Sequence, residues 1–277
     1  MPRKYFWQKS FSFNWGDLYH YLLTITWKKF FCLTIFIYLT INIFFALAYL
    51  IERNGIENAR PGSFIDAFSF SVQTMATIGY GAMYPSSIYT HLLVSIEVFI
   101  GLLGVAMATG LMFARFSKPT ARILFSKVVT ISPYNGIPTL MFRTANQRNN
   151  FIVEAQVQAN FLRPEISQEG ERLRRFYPLN LLRSQTPIFA YSWMIMHPID
   201  DKSPLYGLAL QDLIESNSQI IVVISGLDET VSQTVHSRYT YRGEDICWNA
   251  RFVDVLSWDD AGNPLIDYKH FHDVRAI

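Results

Sequence analysis

The stretch Thr77-Ile78-Gly79-Tyr80-Gly81 decides the fold of this chain, together with the segments on either side of it. Glycine tolerates positive φ angles, so glycines at alternate positions let successive carbonyl groups turn toward one axis. The stretch lies between two long apolar segments. Phe30 to Ile51 contains 22 residues without a charge, roughly 33 Å as a helix. Leu92 to Ala114 carries Glu97 as its single charged residue. Two membrane spans with a re-entrant segment between them are therefore predicted.

The residues just before this stretch support that interpretation. Ser63 to Ala76 has the pattern of a short amphipathic helix that runs directly into Thr77. A Gly-Tyr-Gly sequence is also common in turns of soluble loops, so the surroundings must decide. Here the order is a long helix, a short re-entrant helix, the loop at residues 77–81 and a second long helix. That order predicts a pore through a membrane.

The composition is divided unevenly along the chain. The 277 residues are 50% hydrophobic and 16% aromatic, with a formal net charge of +2. Nearly all of the membrane-spanning character falls before residue 117, and the remainder is long enough for one soluble domain. The first apolar run begins late and is longer than the core of a signal peptide, so we expect it to remain as a transmembrane helix.

Basic residues indicate the orientation of the two spans. They lie before the first span and after the second, and few lie between the spans: Lys28, Lys29, Arg115, Lys118, Arg122 and Lys127. The positive-inside rule therefore places both termini in the cytoplasm. Cys32 and Cys247 are far apart in the sequence and suggest no disulfide framework, which fits a reduced cytoplasmic domain.

Three parts of the chain follow from these patterns. Residues 1–29 are predicted as a cytoplasmic N-terminus with an interfacial helix from Trp15 to Thr26, although that helix would also fit an early start of the first span. Residues 30–116 are predicted as the pore domain. It comprises a first span at 30–51, a pore helix at 63–76, the loop at 77–81 and a second span at 92–114. Residues 117–277 are predicted as a cytoplasmic β-sandwich.

The β prediction for the last part is based on alternating residues. Apolar residues from Val153 to Phe161 alternate with polar ones, which is the period of a half-buried antiparallel strand. Further strands are predicted near 128–131, 138–145, 188–196, 220–225 and 252–256, with one short helix near 208–216. Many short strands separated by turns indicate a β-sandwich, so the fold class is an α+β membrane protein.

With these elements in place, the chain resembles the inward-rectifier potassium channels, specifically the bacterial KirBac group. The resemblance covers nearly the whole length. Beyond residues 77–81 it includes Trp27 and the segments Glu57–Phe64, Ala114–Pro119, Ile166–Glu171, His197–Asp200 and Ser203–Tyr206. It implies that residues 77–81 are a potassium selectivity filter, with K⁺ held at Thr77, Ile78, Gly79 and Tyr80 in place of its water. Four copies are needed to close such a ring, which implies a homotetramer.

The resemblance has further implications. It implies that the cytoplasmic domain is immunoglobulin-like, that a gate lies where the inner helices cross, and that anionic phosphoinositides inhibit the channel, as in bacterial members. No cysteines flank the pore, as they do in eukaryotic relatives, which favours a bacterial cell membrane. Val105 occupies the position where strong rectifiers carry an acid, so weak rectification is expected.

Several residues of the second span are candidates for the pore. An ionised Glu97 is costly within a membrane unless it is paired, so we expect it to support the filter, with Gln73 or the filter backbone as its partner. Val105, Thr109 and Phe113 recur every four residues and share one helix face. The resemblance favours Phe113 as an apolar gate, although helix packing explains it too.

Charged residues outside the spans give weaker candidates. Arg115, Lys118 and Arg122 follow the second span and suit anionic headgroups, although ordinary positive-inside flanking predicts them as well. The resemblance places Glu171 and Asp245 along a cytoplasmic pore, where rings of acids would concentrate cations. The alternative is that both are solvated surface charges. The cluster Arg172, Arg174 and Arg175 is better explained by a solvated face or a subunit contact than by nucleic acid.

Other function classes fit less well. The six histidines show no metal-ligand spacing, and the sequence contains no phosphate-binding loop, dinucleotide fingerprint or nucleophile elbow. We therefore predict no enzymatic activity and no cofactor besides the permeant K⁺. Two alternatives remain: a cation channel with relaxed selectivity, and a membrane-anchored sensor whose pore is vestigial.

Overall fold

The computed structural model describes residues 15–148, 150–260, 262 and 264–277, so most of the predicted N-terminal tail, residues 1–14, lies outside the described residues. The chain divides into two compact units, Met1–Lys118 and Pro119–Ile277. We call them the pore unit and the β-unit.

The pore unit is built from helices. They are α1 (Trp15–Thr24), α2 (Trp27–Tyr49), α3 (Phe64–Met75) and α4 (Ile88–Phe116), with the short strands β1 (Ile56–Glu57) and β2 (Tyr84–Pro85) pairing antiparallel. Helices α2 and α4 are long and apolar enough to cross a membrane. Both begin before the predicted apolar segments, because polar residues at the end of a span stay helical while their side chains reach toward water.

Helix α1 is separate from α2. The chain leaves the helical conformation at Ile25 and Thr26, and Thr26 has an extended backbone with φ −65° and ψ 152°. The break comes just before Trp27, Lys28 and Lys29. Residues 15–24 are therefore a helix of their own and not an early start of the first span.

Helix α3 packs between α2 and α4. Its buried residues Ala67, Phe70 and Met75 meet Phe45 and Tyr49 of α2 in a small apolar cluster. At its N-terminus the Ser63 hydroxyl accepts a hydrogen bond from the backbone N–H of Asp66. On the other side, a Cβ atom added at Gly101 would lie 2.7 Å from the carbonyl oxygen of Met75. Gly101 thus lets α4 approach the end of α3 closely.

The β-unit is a sandwich of two five-stranded sheets. Its elements, in chain order, are β3 (Ile123–Phe125), β4 (Val129–Tyr134), β5 (Ile137–Asn146), β6 (Ile152–Ile166), β7 (Arg172–Pro178), β8 (Gln185–Phe189), β9 (Ser192–Pro198), α5 (Leu210–Glu215), β10 (Gln219–Asp228), β11 (Gln233–Arg242), a 3₁₀ turn (Gly243–Asp245), β12 (Ile246–Trp248), β13 (Ala250–Phe252), β14 (Leu256–Trp258), β15 (Pro264–Ile266) and β16 (Val274–Ala276). One sheet has the order β11-β10-β6-β7, and β8 also pairs with β6. The other has the order β12-β4-β5-β3, and β9 also pairs with β5.

The core of the β-unit lies between these sheets. Buried apolar side chains from both sheets form one cluster that includes Phe142, Phe161, Trp193, Ile224 and Tyr241. The alternation seen in the sequence corresponds to β6, where Ala155, Val157, Ala159 and Phe161 are buried. Beside the sandwich, β13 pairs with β16 and β14 pairs with β15.

Two strand predictions were wrong in their boundaries. The segment predicted as one strand at 188–196 is two strands, β8 and β9, which belong to different sheets. The apolar pattern runs on because both strands face the same core, where the rings of Phe189 and Trp193 are 5.9 Å apart. The segment predicted as a strand at 252–256 is likewise the end of β13 and the start of β14. Strand β11 was not predicted, because its many polar residues hide the alternation.

Candidate ion-conducting site

The backbone of residues 77–81 alternates in the sign of φ. Thr77, Gly79 and Gly81 have φ angles of 54°, 59° and 76°, whereas Ile78 and Tyr80 are not among the residues with positive φ. In a regular strand successive carbonyls point to opposite sides. Alternation between left-handed and right-handed conformations instead turns successive carbonyls toward the same side. The loop can therefore present a row of oxygens to a dehydrated cation.

The positive φ of Thr77 was not predicted from the sequence, although Thr77 itself was predicted as a potassium ligand. A β-branched residue with positive φ is an outlier, and such a conformation costs on the order of 1–3 kcal/mol. Hydrogen bonds at the end of α3 hold it in place. The Thr77 N–H donates to the carbonyl of Thr74 (3.1 Å), and the Ile78 N–H donates to the carbonyl of Gln73 (2.8 Å). Gln73 therefore supports the loop through its backbone.

The other end of the loop is anchored by the segment after α2. The Asn58 side-chain amide donates to the carbonyl of Ala82 at 2.9 Å. Arg60 binds the Asp66 carboxylate through its backbone N–H, Nε and Nη2, at 2.9, 2.9 and 2.8 Å. From the sequence, this segment was predicted only to resemble the family, and its role in holding the loop was not predicted. The signal for this role was the Asn-Ala-Arg-Pro run that ends at Pro61, three residues before α3 begins.

Glu97 is completely buried beside α3. The Tyr49 hydroxyl donates to its Oε2 at 2.6 Å, and its Oε1 is in hydrogen-bond contact with the Ser71 hydroxyl. The sequence predicted Gln73 or the filter backbone as the partner of Glu97, and both predictions were wrong, because its partners among the described residues are Tyr49 and Ser71. Ser71 and Met75 are one turn apart and lie on the side of α3 that faces α4. Gln73 is two residues from each of them and therefore lies on a different side of the helix. Tyr49 and Ser71 were missed because neither stands near Glu97 in the sequence.

The candidate gate residues Val105, Thr109 and Phe113 are all exposed in the single chain. Phe113 is 73% exposed and lies near the C-terminal end of α4. The face that carries these residues is therefore free for contact with ions or with another copy.

Arg115 makes protein contacts that the sequence did not indicate. Its Nη2 donates to the carbonyl of Ile25 at 2.7 Å, and its Nη1 donates to the carbonyl of Leu22. Its guanidinium carbon also lies 4.5 Å from the centre of the Trp27 ring. Carbonyls at the end of a helix lack partners and carry partial negative charge, so they attract a cation. Arg115 joins α1 to α4, whereas Lys118 and Arg122 are exposed.

The charged candidates of the β-unit occupy loop and edge positions. Glu171 is exposed just before β7, and its backbone N–H donates to the Ser167 hydroxyl. The half-buried Asp245 accepts the backbone N–H of Arg242 at 2.9 Å and so caps the 3₁₀ turn. Arg172, Arg174 and Arg175 lie on the exposed strand β7, and Arg175 pairs with Glu165 at 3.6 Å.

Comparison with known protein families identifies two domain models in the chain. The model described as "Ion channel" matches residues 20–118, and the model described as "Inward rectifier potassium channel C-terminal domain" matches residues 123–277. The first match, together with α2, α4 and the loop between them, defines the class: a membrane ion channel with two spans per chain. The second match covers the β-unit.

Individual relatives agree with both matches. "Inward rectifier potassium channel Kirbac3.1" of Paramagnetospirillum magnetotacticum is 48% identical over 93% of this chain and 88% of its own length. "Inward rectifier potassium channel 18" of Homo sapiens is 32% identical over 77% of this chain and 51% of its own length. "G protein-activated inward rectifier potassium channel 1" of Bos taurus is 31% identical over 95% of this chain and 56% of its own length. The chain thus spans about half the length of these two mammalian relatives.

The chain belongs to the inward rectifier potassium channel family, as its sequence motifs predicted. The fold class is confirmed with it: an α+β membrane channel with a C-terminal β-sandwich. The family consists of ion channels and not of enzymes. Among solved structures, the sporulation control protein Spo0M of Bacillus subtilis matches 47% of this chain and 50% of its own chain, with 9% sequence identity. The TM-score of this match is 0.25, so it supports no conclusion about the fold or the function.

Proposed function

We propose that four copies of this chain form a potassium-selective channel in which residues 77–81 of each copy line a common axis. The observation that carries the proposal is the alternation of φ sign at Thr77, Gly79 and Gly81. It gives each copy one row of carbonyls, and four rows make the oxygen cage that replaces the water of a potassium ion. Potassium then crosses passively and the protein needs no cofactor.

The surface of the pore unit supports the tetramer. Tyr80 is 74% exposed in the single chain, and Ile78 is exposed as well. The apolar faces of α2 and α4 are also largely uncovered. Contiguous apolar surface of this extent needs lipid or other copies to cover it. In a fourfold assembly the C-terminal ends of the α3 helices, which carry partial negative charge, would also steady a cation before it enters the filter.

Gating and regulation form the finer part of the proposal. Four Phe113 side chains close the pore by excluding water, and anionic lipid or another ligand acting on the cytoplasmic β-unit shifts the inner helices. Lys118 and Arg122 are the exposed basic residues available to lipid headgroups, with both termini in the cytoplasm. Glu171 and Asp245 would attract cations, and Val105 in place of an acid gives weak rectification.

Ion flux in proteoliposomes tests the proposal. Purified protein in vesicles free of anionic lipid should take up radioactive rubidium along a potassium gradient but not along a sodium gradient. Barium should block the uptake, and phosphoinositide should reduce it. Uptake along both gradients would indicate relaxed selectivity instead. An intact tetramer without uptake in any lipid mixture would favour the membrane-anchored sensor with a vestigial pore.

The gate can be tested by itself with Phe113→Ala. Removing the ring widens the apolar constriction and lets water enter, so open probability in planar bilayers should rise severalfold. Met107→Ala is a matched control, because Met107 is similarly exposed on α4 but lies on a different face. An unchanged open probability in Phe113→Ala would place the gate elsewhere.

A further inference from the structure

Four buried polar side chains form one hydrogen-bonded network that connects the three helices behind the filter. Asn42 and Tyr49 come from α2, Ser71 from α3 and Glu97 from α4. Tyr49 is 1% exposed and the other three are completely buried. The contacts run from Asn42 to Ser71, from Ser71 to Glu97 and from Glu97 to Tyr49. Glu97 is the one acidic or basic residue in these contacts.

The orientation of the Asn42 amide follows from its other contacts. Its Nδ2 donates to the carbonyl of Tyr38 at 2.8 Å and lies 3.4 Å from the sulfur of Met75. Turning the amide over would place two acceptor oxygens, Asn42 Oδ1 and the Tyr38 carbonyl, against each other. Asn42 Oδ1 therefore faces the Ser71 hydroxyl, 3.0 Å away, and must receive a hydrogen from it.

The number of hydrogens available fixes the direction of each hydrogen bond in this network. Ser71 has one hydroxyl hydrogen, which goes to Asn42 Oδ1, so Ser71 Oγ can meet Glu97 Oε1 only as an acceptor. The Tyr49 hydroxyl uses its hydrogen on Glu97 Oε2. The remaining hydrogen, between Ser71 Oγ and Glu97 Oε1, has to be carried by Glu97. An ionised carboxylate would leave Asn42 Oδ1 buried without a donor, which is costly.

We propose that Glu97 is a protonated carboxylic acid that donates to Ser71, accepts from Tyr49 and positions the pore helix without carrying charge. Gly101 stands one turn further along α4 and lies against the carbonyl of Met75. Glu97 and Gly101 thus contact α3 at Ser71 and Met75, directly before the filter begins. Glu97 is therefore a positioning residue and not an ion ligand. Its effect on ion flux rests on the proposed channel function.

Infrared spectroscopy of the full-length protein tests the protonation directly. A protonated carboxyl has a carbonyl stretch that is separate from the bands of carboxylates. In a detergent without ester groups at neutral pH, wild-type protein should show this band, and labelling with isotopic glutamate should shift it. Glu97→Gln should abolish the band, and Ser95→Ala should leave it unchanged. Ser95 is a suitable control because its hydroxyl bonds the carbonyl of His91 in its own helix.

A second variant keeps the test decisive if Glu97→Gln folds poorly. Tyr49→Phe removes one hydroxyl and keeps the ring that packs against Phe70. It frees the carbonyl oxygen of Glu97 from its donor, so the band should move to higher frequency and persist. A spectrum with carboxylate bands alone, from correctly folded wild-type protein, would overturn the proposal.

Flux measurements then test the positioning role. Glu97→Gln keeps a neutral donor and acceptor, so its potassium-to-sodium selectivity should stay close to that of the wild type. Glu97→Ala removes the donor to Ser71 Oγ and leaves the Tyr49 hydroxyl without an acceptor, and its selectivity should fall by about tenfold. Equal loss in both variants would refute a neutral Glu97. A wild-type protein that shows the carbonyl band but passes no ions would refute the proposed function and leave the protonation intact.

Discussion

The pore unit and the β-unit place their apolar side chains in opposite ways. The β-unit closes its own core, in which residues such as Phe142, Ile195 and Val222 are completely buried. In the pore unit most of α2 and α4 remains exposed, and the buried cluster is confined to the contact with α3. A single β-unit is therefore a complete sandwich, whereas a single pore unit leaves apolar surface that lipid or other protein has to cover.

The two units also differ in how they bury an ionisable side chain. Glu97 in the pore unit is surrounded by hydroxyl groups and can become neutral by binding a proton. Arg143 in the β-unit cannot lose its charge at ordinary pH. Its Nη1 and Nη2 each donate to a backbone carbonyl at 2.7 Å, those of Val253 and Phe271, and its guanidinium lies 4.8 Å from the centre of the Phe252 ring. Arg143 thereby fastens the C-terminal segment to β5.

The largest effect is expected from Gly79→Ser in the pore unit. A Cβ atom at Gly79 would meet nothing within 4 Å, so the obstacle is the positive φ of 59° itself. A serine strains the loop or turns its carbonyls away, and potassium selectivity should be lost while the proposed tetramer still forms. Rubidium uptake against potassium and sodium gradients measures this. Gly104→Ala is the control, with the same open space and no positive φ. Selectivity retained in Gly79→Ser would contradict the filter assignment.

Arg143→Met should act on the β-unit alone. Methionine fills much of the same space but leaves two carbonyls without donors, at about 1–3 kcal/mol for each buried group. Hydrogen exchange on the full-length protein should show faster exchange around residues 252–271 and unchanged exchange in α2 and α4. Arg251→Met is the matched control, because Arg251 is exposed on β13. Equal protection in the two variants would show that Arg143 does not fasten this segment.

Gly101→Ala should disturb the pore unit more moderately. Its new methyl group would lie 2.7 Å from the carbonyl oxygen of Met75, a backbone atom that cannot turn aside. Overpacking of this kind costs roughly 1–3 kcal/mol. The thermal stability of the purified protein and its rubidium uptake should both fall, whereas Gly110→Ala, whose new methyl group meets nothing within 4 Å, should change neither. If the two alanine variants behave alike, the close approach of α4 to α3 is not important for stability.

The smallest effect concerns pH and the β-unit. His197 donates from Nδ1 to the carbonyl of Asn180 (2.7 Å), and its Nε2 accepts from the Ser203 hydroxyl (2.8 Å). Burial lowers the pKa of His197, although Asn180 and Asp200 oppose the shift. The unfolded chain therefore binds a proton first. The stability of the β-unit should be complete above about pH 6.5 and should fall below it, by at most about 1.4 kcal/mol per pH unit.

Unfolding of the full-length protein as a function of pH measures this slope. His197→Gln should remove its contribution. His270 provides a control of opposite sign, because the hydrogen bond with Asp273 raises the pKa of this exposed histidine. His270→Gln should therefore leave the loss of stability at acid pH in place. An unchanged slope in His197→Gln would assign the pH dependence to other groups.

Much of the fold could be predicted from the sequence because the relevant patterns are local. A charge-free run of 22 residues predicts a span wherever it stands, and alternation from Val153 to Phe161 predicts a strand. The resemblance carried by short motifs gave the family. The boundary between β8 and β9 was not predictable in the same way. Both strands direct apolar side chains into one core, so the apolar pattern of the sequence does not change where the chain passes from one sheet to the other.

The sequence by itself determined the order of the spans, the short helix before residues 77–81 and the β-rich C-terminal part, and it is the source of the proposal that residues 77–81 form a filter. Tertiary structure alone decided what their polar groups contact. Tyr49 lies 48 residues from Glu97, Ser71 lies 26 residues from it, and Arg115 reaches Leu22 across 93 residues. Such contacts depend on how helices pack, and many different residues could have filled those positions. The positive φ of Thr77 belongs with them, since threonine avoids that conformation unless the surrounding structure holds it there.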